Sequence, residues 1–203
     1  MQVETQAWRN VLLTDSGWYR SLEGGIHRHI LDRFLGMLDM PASQAKVLFI
    51  PTAACSDESR PYAGKCFAEL LSAGIAPNNI RIYDIDGSLT LEQAMQYDVV
   101  YVTGGDTSHL LRRMKETGFD EILKSMVYAN KVYVGVSAGS MAATPIVGGP
   151  YDAEIEGLCL VNVYLSFHNP QGTEARTDLR LPHIPLTHGQ ALAVNWAGYE
   201  ILP

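Results

Sequence analysis

The chain has 203 residues, 47% hydrophobic and 18% charged, which suits one substantial core in a single domain spanning 1–203. A net charge of −7 and a pI near 5.3, with no run of lysines or arginines, exclude an electrostatic grip on nucleic acid or on an anionic membrane surface. A small soluble molecule is the expected partner.

Three cysteines, Cys55, Cys66 and Cys159, form no CxxC pair and leave no complete disulfide set, so they read as buried apolar residues in a reducing cytoplasm. The chain opens without a charged segment leading into an apolar core, and no run of about 18 apolar residues occurs. Neither export nor a membrane span is expected.

In chain order, strands are predicted at 10–15 (NVLLTD), 46–51 (KVLFIP), 79–85 (NIRIYDI), 98–105 (DVVYVTGG) and 131–137 (KVYVGVS). These runs are nearly continuous in apolar residues rather than alternating, as expected of strands buried on both faces of a parallel sheet. Helical spacing fills 25–38, 63–73, 90–96 and 107–130, the last broken into two helices at Gly118. The alternation predicts an α/β fold, three-layer and doubly wound around a mainly parallel sheet. After Ala143 the rhythm changes to a turn-rich loop (TPIVGGPYD), a further strand (LVNVYLSFH), a proline-broken loop and a C-terminal β-hairpin around Ala197 and Gly198.

Sites in such sheets form beyond the carboxyl ends of the strands. Asp15, Ser16, Gly17, Thr52, Gly104, Gly105, Asp106 and Ser137 all fall at those ends. The stretch GVSAG around Ser137 fits G-x-S-x-G, in which a sharp strand-to-helix turn lifts a serine hydroxyl clear of the sheet and the glycines relieve crowding. A serine needs a base within hydrogen-bond reach and a third group to orient that base. His27, His29 and His109 lie on helical stretches and read as solvated or packed; His183 and His188 fall in the proline-broken loop, without the carboxylate or cysteine partners of a metal site. His168, ending a strand after the serine, is the candidate base, and Asp152, after the GGPY turn, is the candidate acid.

KVLFIPTA, YVTGGDTSHLL, GVSAGSMAA, GLCLVNVYLSFHNP and GQALAV together resemble peptidase family S51, which contains aspartyl dipeptidase (peptidase E) and, more distantly, cyanophycinase. The step of fifteen residues from Ser137 to Asp152 and the further sixteen to His168 match the family's triad spacing. The resemblance implies Ser137 as nucleophile, His168 as general base and acid, and Asp152 as the group orienting the imidazole. It implies an oxyanion hole from the amides of Gly105, in a turn (GGDT) similar to the family's Gly-Gly-Asn-Thr, and of Ala138. Asp106 stands where the family has asparagine, a carboxylate that would oppose oxyanion charge unless it turned into the helix cap. TEARTDLR partly echoes the family's Glu-Thr-Arg, which implies Arg176 as the partner of a substrate aspartate, with Glu174 supporting it or meeting the α-ammonium group.

The implied activity is a serine peptidase on short peptides with an N-terminal aspartate, needing no metal and no cofactor, with a homodimer left open. An esterase or amidase using the same triad, and a non-catalytic ligand-binding member of a fold shared with flavodoxin and class I glutamine amidotransferase domains, are the alternatives.

Overall fold

The computed structural model describes residues 10–19, 25–147, 155–175, 177 and 180–203. Strand β1 (Val11–Thr14) is followed by helix α1 (Arg28–Gly36), β2 (Val47–Ile50), α2 (Arg60–Ser72), a short 3-10 helix (Pro77–Asn79), β3 (Ile80–Ile82), α3 (Leu91–Ala94) and β4 (Val99–Val102). Then come α4 (Thr107–Thr117), α5 (Phe119–Tyr128), β5 (Val132–Val136), α6 (Ala138–Ala142), β6 (Ile146–Val147) and β7 (Ile155–Glu156). The chain closes with β8 (Tyr164–Asn169), β9 (His183–Thr187), β10 (Ala191–Asn195) and β11 (Gly198–Leu202).

Seven strands form the main sheet in the order β11-β10-β1-β5-β4-β2-β3. The five strands expected from apolar runs are parallel to one another, and the C-terminal hairpin β10–β11 adds antiparallel to β1 at one edge. β1, β2, β4 and β5 are buried along their whole length because both faces are covered. Alternate residues feed two cores. Leu13, Leu48, Ile50, Val100 and Val102 join Leu110, Met114, Leu123 and Ala142 on one side, while Leu12, Phe49, Tyr101 and Val134 join Ile30, Phe34, Cys66 and Leu70 on the other.

Gly118, at φ 72°, ends α4 and starts α5, so the predicted break is a left-handed turn that glycine adopts without steric cost. Two expectations are corrected. The segment holding His183 is not a proline-broken loop but strand β9, paired in parallel with β8; in a two-stranded sheet Pro185 can turn its missing donor away from the partner. Cys55 and Cys159 are exposed, and only Cys66 is the buried apolar cysteine expected of all three.

Candidate active site

β1 and β5 lie side by side with Thr14 opposite Val136, so Asp15 and Ser137 leave the sheet at the same level. Ser137 turns the chain from β5 into α6 at φ 46°, ψ −103°, a strained setting for a residue with a Cβ. Its amide donates to the Thr14 carbonyl (2.9 Å), and its own carbonyl accepts from Met141 N–H (2.9 Å). The hydroxyl makes no capping bond, and the side chain is half-buried.

The flanking glycines are needed for contact. A Cβ on Gly135 would stand 2.7 Å from the Gly139 carbonyl carbon, and one on Gly139 would collide with the Val102 carbonyl oxygen. Without side chains at both positions, α6 can sit directly on the ends of β4 and β5. Tyr133, fully buried beneath, donates its hydroxyl to Gly139 O (2.6 Å); burial pushes its phenol far above the usual range. Ser140 ties α6 to β1, its Oγ donating to Thr14 O (2.9 Å) and accepting from Thr14 N–H (3.0 Å).

The glycine turn after β4 abuts this elbow: a Cβ on Gly104 would lie 3.3 Å from the Ser137 Cβ. Gly105, at φ 140°, has no room for a side chain against the Ala53 carbonyl, which accepts the Asp106 amide at 2.8 Å. The Asp106 carboxylate accepts from His109 N–H (2.8 Å) and caps α4, so it is turned into the helix as the departure from asparagine requires. Ala138 is the first residue of α6, where an amide has no acceptor within the helix.

His168 lies in an irregularity of β8. From Ser166 to Asn169 the strand advances three residues while its partner advances two, Pro185 to Thr187. The extra residue makes a bulge, and His168 takes φ 58° within it. Its backbone amide donates to Asp15 Oδ1 at 2.7 Å, and its ring Nδ1 stands 3.1 Å from the same oxygen. Asp15 is fully buried, whereas the His168 side chain is 65% exposed. His188 approaches from the segment after β9, its Nδ1 3.5 Å from Asp15 Oδ2.

The other candidates have structural partners. His183 Nε2 meets Ser166 Oγ (2.8 Å), His109 Nδ1 meets an Arg112 nitrogen (3.0 Å), and His29 Nε2 meets Gly189 O (3.2 Å). His27 is buried against Gly189, its ring 6.1 Å from that of His188. Glu174 is exposed, while Asp152 and Arg176 lie outside the described residues. Among the described residues, no group of three or more His, Cys, Asp or Glu is placed to hold a metal ion.

Sequence reasoning placed Asp15 at a strand end but gave it no role. It missed Glu69 altogether, because one glutamate on a helix reads as solvated. Glu69 on α2 is fully buried, and its carboxylate accepts from Tyr101 OH (2.7 Å) and Tyr19 N–H (2.8 Å). Burial pushes its carboxyl up to about 7. Gly17, at φ 79°, has no space for a Cβ against this carboxylate, and Lys65 Nζ donates to Ser16 O (3.3 Å) and Tyr19 O (2.9 Å). The turn that follows Asp15 is therefore anchored from below.

The model of peptidase family S51 matches residues 12–188. An uncharacterized peptidase of Listeria monocytogenes is 37% identical over 101 residues, 49% of this chain and 48% of that protein. Peptidase E of Escherichia coli is 30% identical over 131 residues, covering 63% of this chain and 56% of its own length. The match thus spans about half the length of these curated relatives. The crystal structure of a peptidase E-like protein from Listeria monocytogenes superposes with a TM-score of 0.72 at 22% identity, covering 96% of this chain and 98% of that one, so the fold is the same. On the family match over most of its length, the chain belongs to peptidase family S51.

Proposed function

We propose that this protein is a cytoplasmic serine peptidase that cleaves short peptides with an N-terminal aspartate. Ser137 Oγ attacks the first peptide carbonyl, and His168 takes its proton and delivers it to the leaving amine. Water, activated by the same imidazole, then releases the acyl group. The amides of Gly105 and Ala138 receive the oxyanion, each such donor contributing on the order of 3 kcal/mol. Asp152 orients His168, and Arg176, with Glu174, meets the substrate carboxylate and ammonium group.

The observation that carries the reading is the strained backbone of Ser137, half-buried and uncapped, with the Gly104–Gly105 turn against its side chain. Strain of this kind persists where the surrounding structure holds it, and here Thr14, Gly135 and Gly139 do so. Family membership supports peptidase chemistry. The absence of any helix among the described residues long and apolar enough to cross a membrane is compatible with a cytoplasmic place.

The test is kcat/KM for Asp-Leu, Asn-Leu and a neutral activated ester, with fluorophosphonate labelling, in the wild type, Ser137→Ala and Arg176→Met. Ser137→Ala should lose turnover and labelling while keeping its fold. Arg176→Met should lose the preference for Asp-Leu but keep the ester. Turnover by Ser137→Ala at the wild-type rate would reject the nucleophile, and ester hydrolysis without peptide cleavage would favour an esterase.

A further inference from the structure

We propose that Asp15 is a positioning residue for the reaction: its buried carboxylate holds the imidazole of His168 in the Nδ1–H tautomer, leaving Nε2 to serve Ser137. This rests on His168 being the base.

The argument begins with the backbone. His168 sits at φ 58°, a left-handed conformation that crowds the Cβ of any residue but glycine. The bulge in β8 makes the conformation available, and the bond from His168 N–H to Asp15 Oδ1 (2.7 Å) helps hold it. That bond fixes where the ring begins. With Nδ1 3.1 Å from the same oxygen, one carboxylate oxygen accepts from the main-chain amide and stands within reach of the ring nitrogen, two points of contact on an otherwise exposed side chain.

Asp15 is placed for this by β1. It directly follows Thr14, whose carbonyl accepts the Ser137 amide and whose amide and carbonyl both bond Ser140. The Asp15 amide in turn donates to Gln190 O (3.3 Å). A short chain of hydrogen bonds therefore runs from the elbow through β1 to the base, and α6 also packs against β8. Among the described residues, the charged and titratable groups around Asp15 include His168 from the bulge, His188 from the segment after β9 and, at the turn that follows it, Lys65 and Glu69 of α2. Asp15 Oδ2 makes no hydrogen bond among the described residues, so the carboxylate's firm partner is His168.

A carboxylate on Nδ1 does for the imidazole what the third member of a triad does. It selects the tautomer with a free Nε2 and stabilises the imidazolium that forms as the serine loses its proton. The resemblance to S51 peptidases assigns that role to Asp152; the geometry assigns the Nδ1 contact to Asp15.

The test uses the full chain. In a long-range proton–nitrogen spectrum of the wild type, neutral His168, identified by its loss in His168→Gln, should carry its proton on Nδ1. Asp15→Asn should keep the fold by circular dichroism and keep KM for Asp-Leu, while kcat and the rate of fluorophosphonate labelling fall on the order of 10²-fold or more. A fall confined to stability, with kcat intact, would overturn the proposal. So would an Nε2–H tautomer in the wild type, a result that stands even if Asp15→Asn does not fold. If Ser137→Ala and His168→Gln are dead while Asp15→Asn works normally, only the role of Asp15 fails; if either of the first two still turns over, the serine mechanism fails with it.

Discussion

Ser140 and Thr14 are joined by a reciprocal pair of hydrogen bonds, with Ser140 Oγ donating to the Thr14 carbonyl and accepting from the Thr14 amide. Both residues are buried, and the pair pins the first turn of α6 to the end of strand β1. Since Ser137 opens that turn, the position of this candidate nucleophile depends on a second serine three residues on.

Ser140→Ala should therefore destabilise the protein by roughly 1–3 kcal/mol, because the buried Thr14 amide is left without a partner. Thermal unfolding measures this directly. A melting temperature equal to that of the wild type would mean that the amide finds another acceptor and that Ser140 does not hold the elbow.

Glu69 makes stability depend on pH. Its carboxyl is raised from an ordinary 4.5 to about 7 by burial, so between those values the folded protein holds a proton that the unfolded chain releases. Stability from this group is full below about pH 4.5 and is lost as pH rises to about 7, by on the order of 3 kcal/mol. Glu69→Gln, which mimics the neutral form, should remove that loss. Denaturant titrations of both proteins at pH 5 and pH 8 should differ in their change between the two conditions; parallel behaviour would mean that Glu69 is not the titrating group.

Asp106→Asn separates capping from charge. Asparagine caps helices about as well as aspartate, so stability should stay within about 0.5 kcal/mol. Removing a negative charge one residue from Gly105 should raise kcat/KM a few-fold if the Gly105 amide meets an oxyanion, and added salt should narrow the gap. An unchanged kcat/KM at low salt would show that the carboxylate, bonded to His109 N–H, is already turned far enough away.

Much of the framework was legible because its signals are local. Continuous apolar runs mark the strands of a parallel sheet, and β1 through β5 follow from them with ends shifted by one to three residues, although β3, at the sheet edge, is largely exposed instead of buried on both faces. Gly118 announced a break between helices, and GVSAG announced a strand-to-helix turn whose glycines prove to be close contacts. Asp106 read as a helix cap and is one. Each of these depends on neighbours within a few residues, where periodicity and turn chemistry act.

Tertiary structure decided what depends on residues far apart in the chain. Asp15 and the His168 amide are 153 positions apart, and nothing in either neighbourhood specifies the other. The bulge that holds His168 arises from the register of β8 on β9, a pairing in a segment that reads from sequence as a proline-broken loop. Glu69 sits among apolar helix residues, but only Tyr101 on β4 and the turn at Tyr19 give it the partners that let a carboxyl be buried. The sequence by itself determined which segments become strands, helices and the strand-to-helix turn at Ser137, because those are properties of local pattern. Which carboxylate faces the histidine was decided by packing, because a hydrogen bond across the sheet's rim exists only once β1, β5 and the β8–β9 pair are assembled.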